Sequence, residues 1–191
     1  MVIIIGITGA TGAIYGVRLL EVLASMKDIE THLIISEAGE KTIAYETQYR
    51  ISDVKKLAAY SYDIGDIYAP ISSGSFRADG MIIAPCTIKT MSALANSYSE
   101  NLIVRAGDVT LKERRKLVVM VRETPLHLGH LRTMERLTEM GAIIMPPMPA
   151  FYHQPQTVQD IVDHTVGKVL DVFDIKHDLF RRWSGYKEEK D

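Results

Sequence analysis

Each strong apolar run in this 191-residue chain is followed at once by a polar, glycine-bearing or charged cluster. Val2 to Ile7 leads into Thr8-Gly9-Ala10-Thr11-Gly12, and Thr31 to Ile35 leads into Ser36. Met81 to Ala84 leads into Pro85-Cys86-Thr87-Ile88-Lys89-Thr90, and Leu117 to Val121 into Arg122-Glu123-Thr124-Pro125. In a parallel sheet covered by helices all strands end at one edge, so clusters far apart in sequence converge there. The pattern therefore predicts a parallel α/β fold with its chemistry at the carboxyl edge of the sheet.

The apolar runs are rich in β-branched residues and alternate with segments of helical period, the pattern of βαβ units. The expected fold class is α/β: a three-layer Rossmann/flavodoxin-like parallel sheet with helices on both faces. We expect one domain over 1–174, an extension over 175–191, and a disordered charged tail from Lys187 to Asp191. The clearest helix carries Val158, Ile161, Val162, Thr165, Val166, Val169, Leu170 and Phe173 on one stripe, with Lys168 at its edge. Thr87 before Ile88 marks a second helix start. Thr124 before Pro125 marks a third, followed by a stripe of Leu128, Leu131, Met134 and Leu137 and ended by Gly141. Ala142 to Met145 resumes as a strand, and Ser61 to Arg77 reads as a long surface loop.

Charge and cysteine content exclude several classes. With 22 Lys+Arg against 24 Asp+Glu, the net charge of -2 offers no bulk field for nucleic acid or an anionic membrane. A single cysteine excludes an intramolecular disulfide framework and a thiolate-rich metal site. The first apolar run lacks a basic leader and is too short to span a bilayer. These features together predict a cytoplasmic protein.

Gly6 to Gly16 reads as a strand, a small-residue turn and a helix opening near Ala13, which would supply amides and a positive dipole end for a phosphate. Thr8 and Thr11 add hydroxyls. The spacing departs from G-x-G-x-x-G, and Ser36 stands where an acidic residue would hold a ribose diol. That favours a mononucleotide such as FMN over NAD. Pro85 to Thr90 is a second such turn, in which Cys86 reads as a half-buried inert thiol. Arg122 and Glu123 bring a cation and a potential proton carrier to the sheet mouth. A salt bridge or a helix-dipole role accounts for them equally well. Lys112 reads as a solvated charge. His127 and His130 lack a third ligand and read as structural, so no metal is expected. Phe151 to Pro155 gives an aromatic wall.

Taken together, Thr8 to Gly16, Pro85 to Ser92, Asp108 to Arg115, Arg122 to Leu126 and Pro149 to Pro155 resemble the motifs of the UbiX-type flavin prenyltransferases, including members once named as components of phenolic acid decarboxylases. The likeness runs from Met1 to about Trp183. It implies a metal-independent enzyme that joins a dimethylallyl group from dimethylallyl phosphate to reduced FMN and passes prenylated FMN to a UbiD-type decarboxylase. Carried over by motif, Gly9, Ala10, Thr11, Ser36, Thr87, Ile88, Lys89, Thr90 and Arg122 hold FMN. Tyr152, Lys168 and Lys112 hold the donor's phosphate, Trp183 covers the site, and Glu123 handles protons. Arg122 and Lys112 also help to neutralise the leaving group. A homododecamer is implied as well. Three departures stand out: Thr11 replaces a frequent serine, Lys168 replaces an arginine of some relatives, and Ile67-Tyr68 stands where some carry an aromatic beside the prenyl group.

Two other readings compete. Flavin-dependent cysteine decarboxylases carry a Pro-x-Met-Asn segment where this chain has Pro146-Pro147-Met148-Pro149. A non-catalytic FMN carrier would have no use for the second anion site formed by Lys112, Arg122, Tyr152 and Lys168.

Overall fold

The structure is a computed structural model and describes residues 1–185, so the expected disordered tail Lys187–Asp191 lies outside the described residues. The chain divides into two compact units, Met1–Pro147 and a second that begins at Met148.

The first unit is built on six parallel strands: β1 (Val2–Ile7), β2 (Glu30–Ile35), β3 (Tyr60–Tyr62), β4 (Gly80–Cys86), β5 (Lys116–Val121) and β6 (Ala142–Ile144). Their order is β3-β2-β1-β4-β5-β6. Chain direction across the sheet therefore reverses between β1 and β4, where doubly wound sheets open their ligand crevice. All of β4 and most of β1, β2 and β5 are buried, as continuous apolar runs in a sheet covered on both faces demand.

Helix α1 (Ala13–Ala24) packs on one face together with α2 (Glu37–Glu46), which leads to the short α3 (Ile51–Lys56). Helices α4 (Ile88–Ala95) and α5 (Leu102–Lys112) cover the other face. Here Met91, Leu94, Ile103, Val104 and Ala106 meet Ile4, Met81, Ile83, Leu117 and Val119. Helix α6 (Leu128–Glu139) flanks α4 and β6. The expected three-layer α/β class is the one observed.

Three local expectations need correction. Ser61–Arg77 is not one surface loop: β3 adds to the sheet edge through the pairs His32↔Tyr60 and Ile34↔Tyr62. A 3-10 helix at Pro70–Ser72 then buries Ile71. Arg105 Nε donates to Ser72 O at 3.0 Å, and Arg115 donates to Phe76 O at 2.7 Å and Gly74 O at 3.0 Å. These bonds fix a segment that reads in the sequence as a long surface loop. The third helix begins at Leu128 and not at Pro125, because the His127 ring, not Thr124, accepts the first free amide, from Gly129 at 3.0 Å. On that helix only Leu137 of the anticipated stripe is buried, while Leu128 and Leu131 face outward.

The second unit holds α7 (Val158–Val172), opened by a capping box in which Thr157 and Asp160 exchange side-chain to backbone bonds. Val162, Thr165, Val166, Val169 and Leu170 form its buried stripe, as the periodicity predicts, but Val158 is exposed.

One glycine sets how closely α1 lies on the sheet. A Cβ on Gly16 would sit 2.3 Å from the backbone oxygen of Ala84 and 2.9 Å from the Ile7 side chain. Gly16→Ala gains about 1 kcal/mol in helix propensity, but forcing a methyl onto a fixed carbonyl costs up to about 3 kcal/mol. A net loss of roughly 2 kcal/mol is expected from these opposed effects, read as a lower urea midpoint at unchanged m-value.

Candidate flavin site and a C-terminal phenol–imidazole cluster

The carboxyl ends of β1 and β4 are tied together by one side chain. Thr8, buried at the end of β1, donates its hydroxyl proton to Pro85 O at 2.8 Å and accepts the Thr87 amide at 2.9 Å, while its own amide donates to Pro85 O at 3.2 Å. The Thr8 hydroxyl is therefore committed within the protein, contrary to the expectation that it is free to serve a ligand. Its role is to hold the two turns at the switch point in register.

Around this knot lie two cavities that share Gly9 and Thr87. The larger, about 470 Å³, is lined among others by Gly9, Ser36, Ala38, Thr87, Lys89 and Thr90. The smaller, about 240 Å³, is lined by Gly9, Ala10, Thr11, Thr87, Ile88, Arg122 and Glu123. Every residue expected to hold FMN thus lines one of them. Glycine is required at position 9 by packing, since a Cβ there would stand 2.4 Å from that of Ala38.

Two helix N-termini open on the larger cavity. Ser36 caps α2 by accepting Gly39 N–H at 3.0 Å, and Thr87 caps α4 by accepting Thr90 N–H at 3.2 Å. The first-turn amides of Glu37, Ala38, Ile88 and Lys89 precede any intrahelical partner, as in every α-helix. Thr87 donates its hydroxyl proton to Thr90 Oγ1 at 3.1 Å, which leaves the Thr90 proton to be given onward. Oriented amides, hydroxyls and the positive ends of two helices fit a phosphate ester, and Ile64 and Ile88 supply apolar wall. The donor set suits a flavin mononucleotide.

The N-terminus of α1 behaves otherwise. Its glycine-rich approach predicts a phosphate there, but Glu46 Oε2 accepts the amides of Gly12 at 2.8 Å and Ala13 at 3.1 Å. Glu46 escapes sequence reading because it lies 34 residues from Gly12, on a helix with no announcing motif. Glu100 also escapes; it pairs with Lys89 at 3.0 Å and lines the larger cavity.

On the smaller cavity, Arg122 is fixed through its amide to Cys86 O at 3.1 Å, and Glu123 Oε1 accepts the Thr124 amide at 3.0 Å. Cys86 is fully buried, and burial pushes its thiol far above the usual range, so it is inert as expected and more enclosed than half-buried. Lys112 lines neither cavity; it ends α5, half exposed, in an ion pair with Glu113. The His127 and His130 rings stack with centroids 3.6 Å apart, the structural role anticipated for them.

The C-terminal unit gathers the other expected residues. Tyr152 Oη is 2.9 Å from His164 Nε2, and the Tyr152 ring meets Trp183 edge-on at 6.0 Å. A pocket of about 110 Å³ is lined by Tyr152, His153, Gln154, Arg182 and Trp183, among others. Asp171 anchors this segment. It accepts from Arg182 at 2.7 and 3.0 Å and lies 3.2 Å from His177 Nε2 and 3.6 Å from Lys168 Nζ. Hydrogen bonds from Arg182 and then His177 outweigh desolvation and hold the Asp171 carboxyl at about 2. Glycine at position 167 lets the following chain close on α7, for a Cβ there would be 2.6 Å from the His177 and Phe180 rings.

Comparison with known proteins agrees with this geometry. A family profile described as Flavoprotein matches residues 1–182. The flavin prenyltransferase UbiX of Thauera aromatica is 59% identical over 190 residues, covering 100% of this chain and 97% of that protein. A crystal structure of AnUbiX in complex with FMN and dimethylallyl pyrophosphate has a TM-score of 0.95 at 48% identity, covering 97% of this chain and 98% of the other. A dodecameric FMN-dependent UbiX-like decarboxylase from Escherichia coli O157:H7 has a TM-score of 0.95 at 51% identity, covering 97% and 100%. The fold and the donor set define a doubly wound flavoprotein. Within that class, the chain belongs to the UbiX flavin prenyltransferase family. No helix among the described residues is long and apolar enough to cross a membrane.

The Asp171 anchor makes a prediction. Its depressed carboxyl contributes stability that is complete above the unfolded value near 4 and is lost as pH falls through about 2. At neutral pH, Arg182→Gln removes the two-pronged contact, and the strap bearing Trp183 should loosen. Trp183 is the only tryptophan, so a red-shifted emission and faster proteolysis after residue 175 are expected; an unchanged spectrum and cleavage pattern would mean that Asp171 does not hold the strap.

Proposed function

We propose that this protein transfers a dimethylallyl group from dimethylallyl phosphate to reduced FMN. The observation that carries the reading is the pair of cavities joined at Gly9 and Thr87, one faced by two helix N-termini and the other by Arg122 and Glu123. Its support from outside the chain is the flavin prenyltransferase name of a relative 59% identical along the full length.

When bound, reduced FMN supplies the nucleophilic ring that accepts the prenyl group. Ser36, Thr87, Lys89 and Thr90, with the first-turn amides of α2 and α4, hold its anionic end, while Gly9, Ala10, Thr11, Ile88 and Arg122 shape the adjoining cavity. Breaking an allylic C–O bond sends the electron pair to a phosphate dianion, so fixed cations and hydroxyls must await it. Tyr152 and Lys168 take that role, and Trp183 excludes water. The structure of AnUbiX holds dimethylallyl pyrophosphate, a longer anion that carries more charge than the phosphate. Glu123, whose Oε1 already accepts a backbone amide, would hold or pass a proton beside the bound flavin.

The outward-facing Leu126, Leu128 and Leu131 offer an apolar surface for further copies of the chain, in keeping with the dodecameric neighbour. We assign the assembly as a homododecamer in the cytoplasm, its product consumed by a UbiD-type decarboxylase.

The test is anaerobic incubation with reduced FMN and dimethylallyl phosphate, followed by mass measurement of the released flavin. A gain of one C5 unit is expected, and unchanged flavin mass refutes the reading. Glu123→Gln should bind FMN within about twofold of the parent and lose on the order of 100-fold in product formation; full activity would remove Glu123 from proton transfer. Lys168→Ala should raise KM for the prenyl phosphate at least tenfold more than it weakens FMN, and equal losses would contradict its place at the phosphate.

A further inference from the structure

A phenol has a single proton, so a hydroxyl that already serves one partner is constrained in what it can offer a second. Tyr152 is in that position. Its hydroxyl lies 2.9 Å from Nε2 of His164, a residue only 6% exposed on α7. Two rings hold the imidazole: the His153 ring stacks on it at 4.7 Å with planes 10° apart, and the Phe180 ring lies tilted at 4.5 Å. His153 gives it no competing bond, since both of its own ring nitrogens are buried without a partner. The Tyr152 and His164 rings meet nearly perpendicular, at 78°. Neither ring can turn without giving up packing, so the hydroxyl's direction is set by Nε2.

Which atom carries the proton decides what Tyr152 presents. A neutral imidazole has one donor and one acceptor nitrogen. If Nε2 is the acceptor, the phenol spends its proton on the ring and turns only lone pairs outward, which repel an anion. If Nε2 carries hydrogen, it donates to the phenol oxygen and the O–H is free for an incoming phosphate, with the charge-assisted strength such bonds have. Burial first, then His153 and Lys168, lower the His164 pKa, while Asp171 opposes them, which favours at neutral pH the uncharged ring that has this choice. An anion held by Lys168, one helical turn along the same face of α7, favours the tautomer that frees the phenol proton.

We propose that His164 is a positioning residue that orients the Tyr152 hydroxyl and, donating from Nε2, leaves the phenol proton for the phosphate of the prenyl donor. This rests on the assignment of Tyr152 to that phosphate.

The experiment uses the full chain loaded with reduced FMN and varies dimethylallyl phosphate. His164→Phe keeps a flat ring and removes the nitrogen, while His164→Gln restores an amide donor of similar reach. His164→Phe should raise KM about tenfold and change kcat less than threefold at unaltered FMN affinity, and His164→Gln should recover most of the loss. Combined with Tyr152→Phe, His164→Phe should add nothing further, because the two act as one unit. If Tyr152→Phe raises KM and His164→Phe does not, or if their effects add, the positioning role is overturned while the phosphate assignment stands. If Tyr152→Phe leaves KM unchanged, the phosphate assignment falls and takes the inference with it. If His164→Gln is as impaired as His164→Phe, packing and not the donated hydrogen bond is responsible, and the proposal fails.

Discussion

The site depends on the buried hydroxyl of Thr8. Parallel strands β1 and β4 send their chains away to opposite faces of the sheet, and a crevice exists only because the two turns diverge. Divergence also leaves backbone groups without ladder partners. Thr8 resolves this by donating to Pro85 O and accepting from Thr87 N. Each bond contributes about 1 kcal/mol, yet losing the hydroxyl would strand the Thr87 amide at about 1–3 kcal/mol, while Pro85 O would keep the Thr8 amide. The position of Thr87, and through it the start of α4, follows from this contact.

With that frame fixed, anion recognition becomes a question of which helix ends are vacant. The chain is close to neutral overall, so attraction must come from oriented dipoles and single side chains. Glu46 already occupies the α1 amides, and a second anion there would meet a carboxylate. The α2 and α4 ends are capped by neutral hydroxyls that satisfy one amide each and leave the positive dipole end uncompensated by a cap charge. The acidic Glu37 and the Lys89–Glu100 pair temper that field, which suits a ligand that must be exchanged after reaction more than one held permanently.

Much of this is legible in the sequence because it lies in runs. Five strands, the Thr87 cap and the α7 stripe come from contiguous apolar segments and the clusters that end them, and the resemblance of those clusters to family motifs supplies the cavity-lining residues expected for FMN. What escapes depends on meetings between distant segments. Glu46 has no local signature, and β3 is a three-residue edge strand, too short for any alternation to register. Thr8 reads as a free donor because its residue type is visible and its two partners, 77 and 79 residues away, are not. The His127 cap displaces the Thr124 expectation because an imidazole nitrogen can do what a hydroxyl usually does. The stripe on α6 reads as core although part of it faces outward, since periodicity reports an apolar face and not what covers it.

The C-terminal unit shows why a lysine, and not an arginine, can stand at position 168. Asp171 is shared by Arg182, His177 and Lys168, and the contacts are unequal. The Arg182 fork meets both carboxylate oxygens at ordinary hydrogen-bond distance, whereas Lys168 is 3.6 Å away and half exposed. A second arginine there would compete with Arg182 for the planar face of the same carboxylate. The ammonium is a point charge on a flexible stem, and under the proposed assignment of Lys168 to the prenyl phosphate it leaves Asp171 without disturbing the fork that holds the Trp183 strap. Anchoring and the proposed recognition are thereby separated between two cations around one acid, and the weaker contact belongs to the residue that this proposal requires to move.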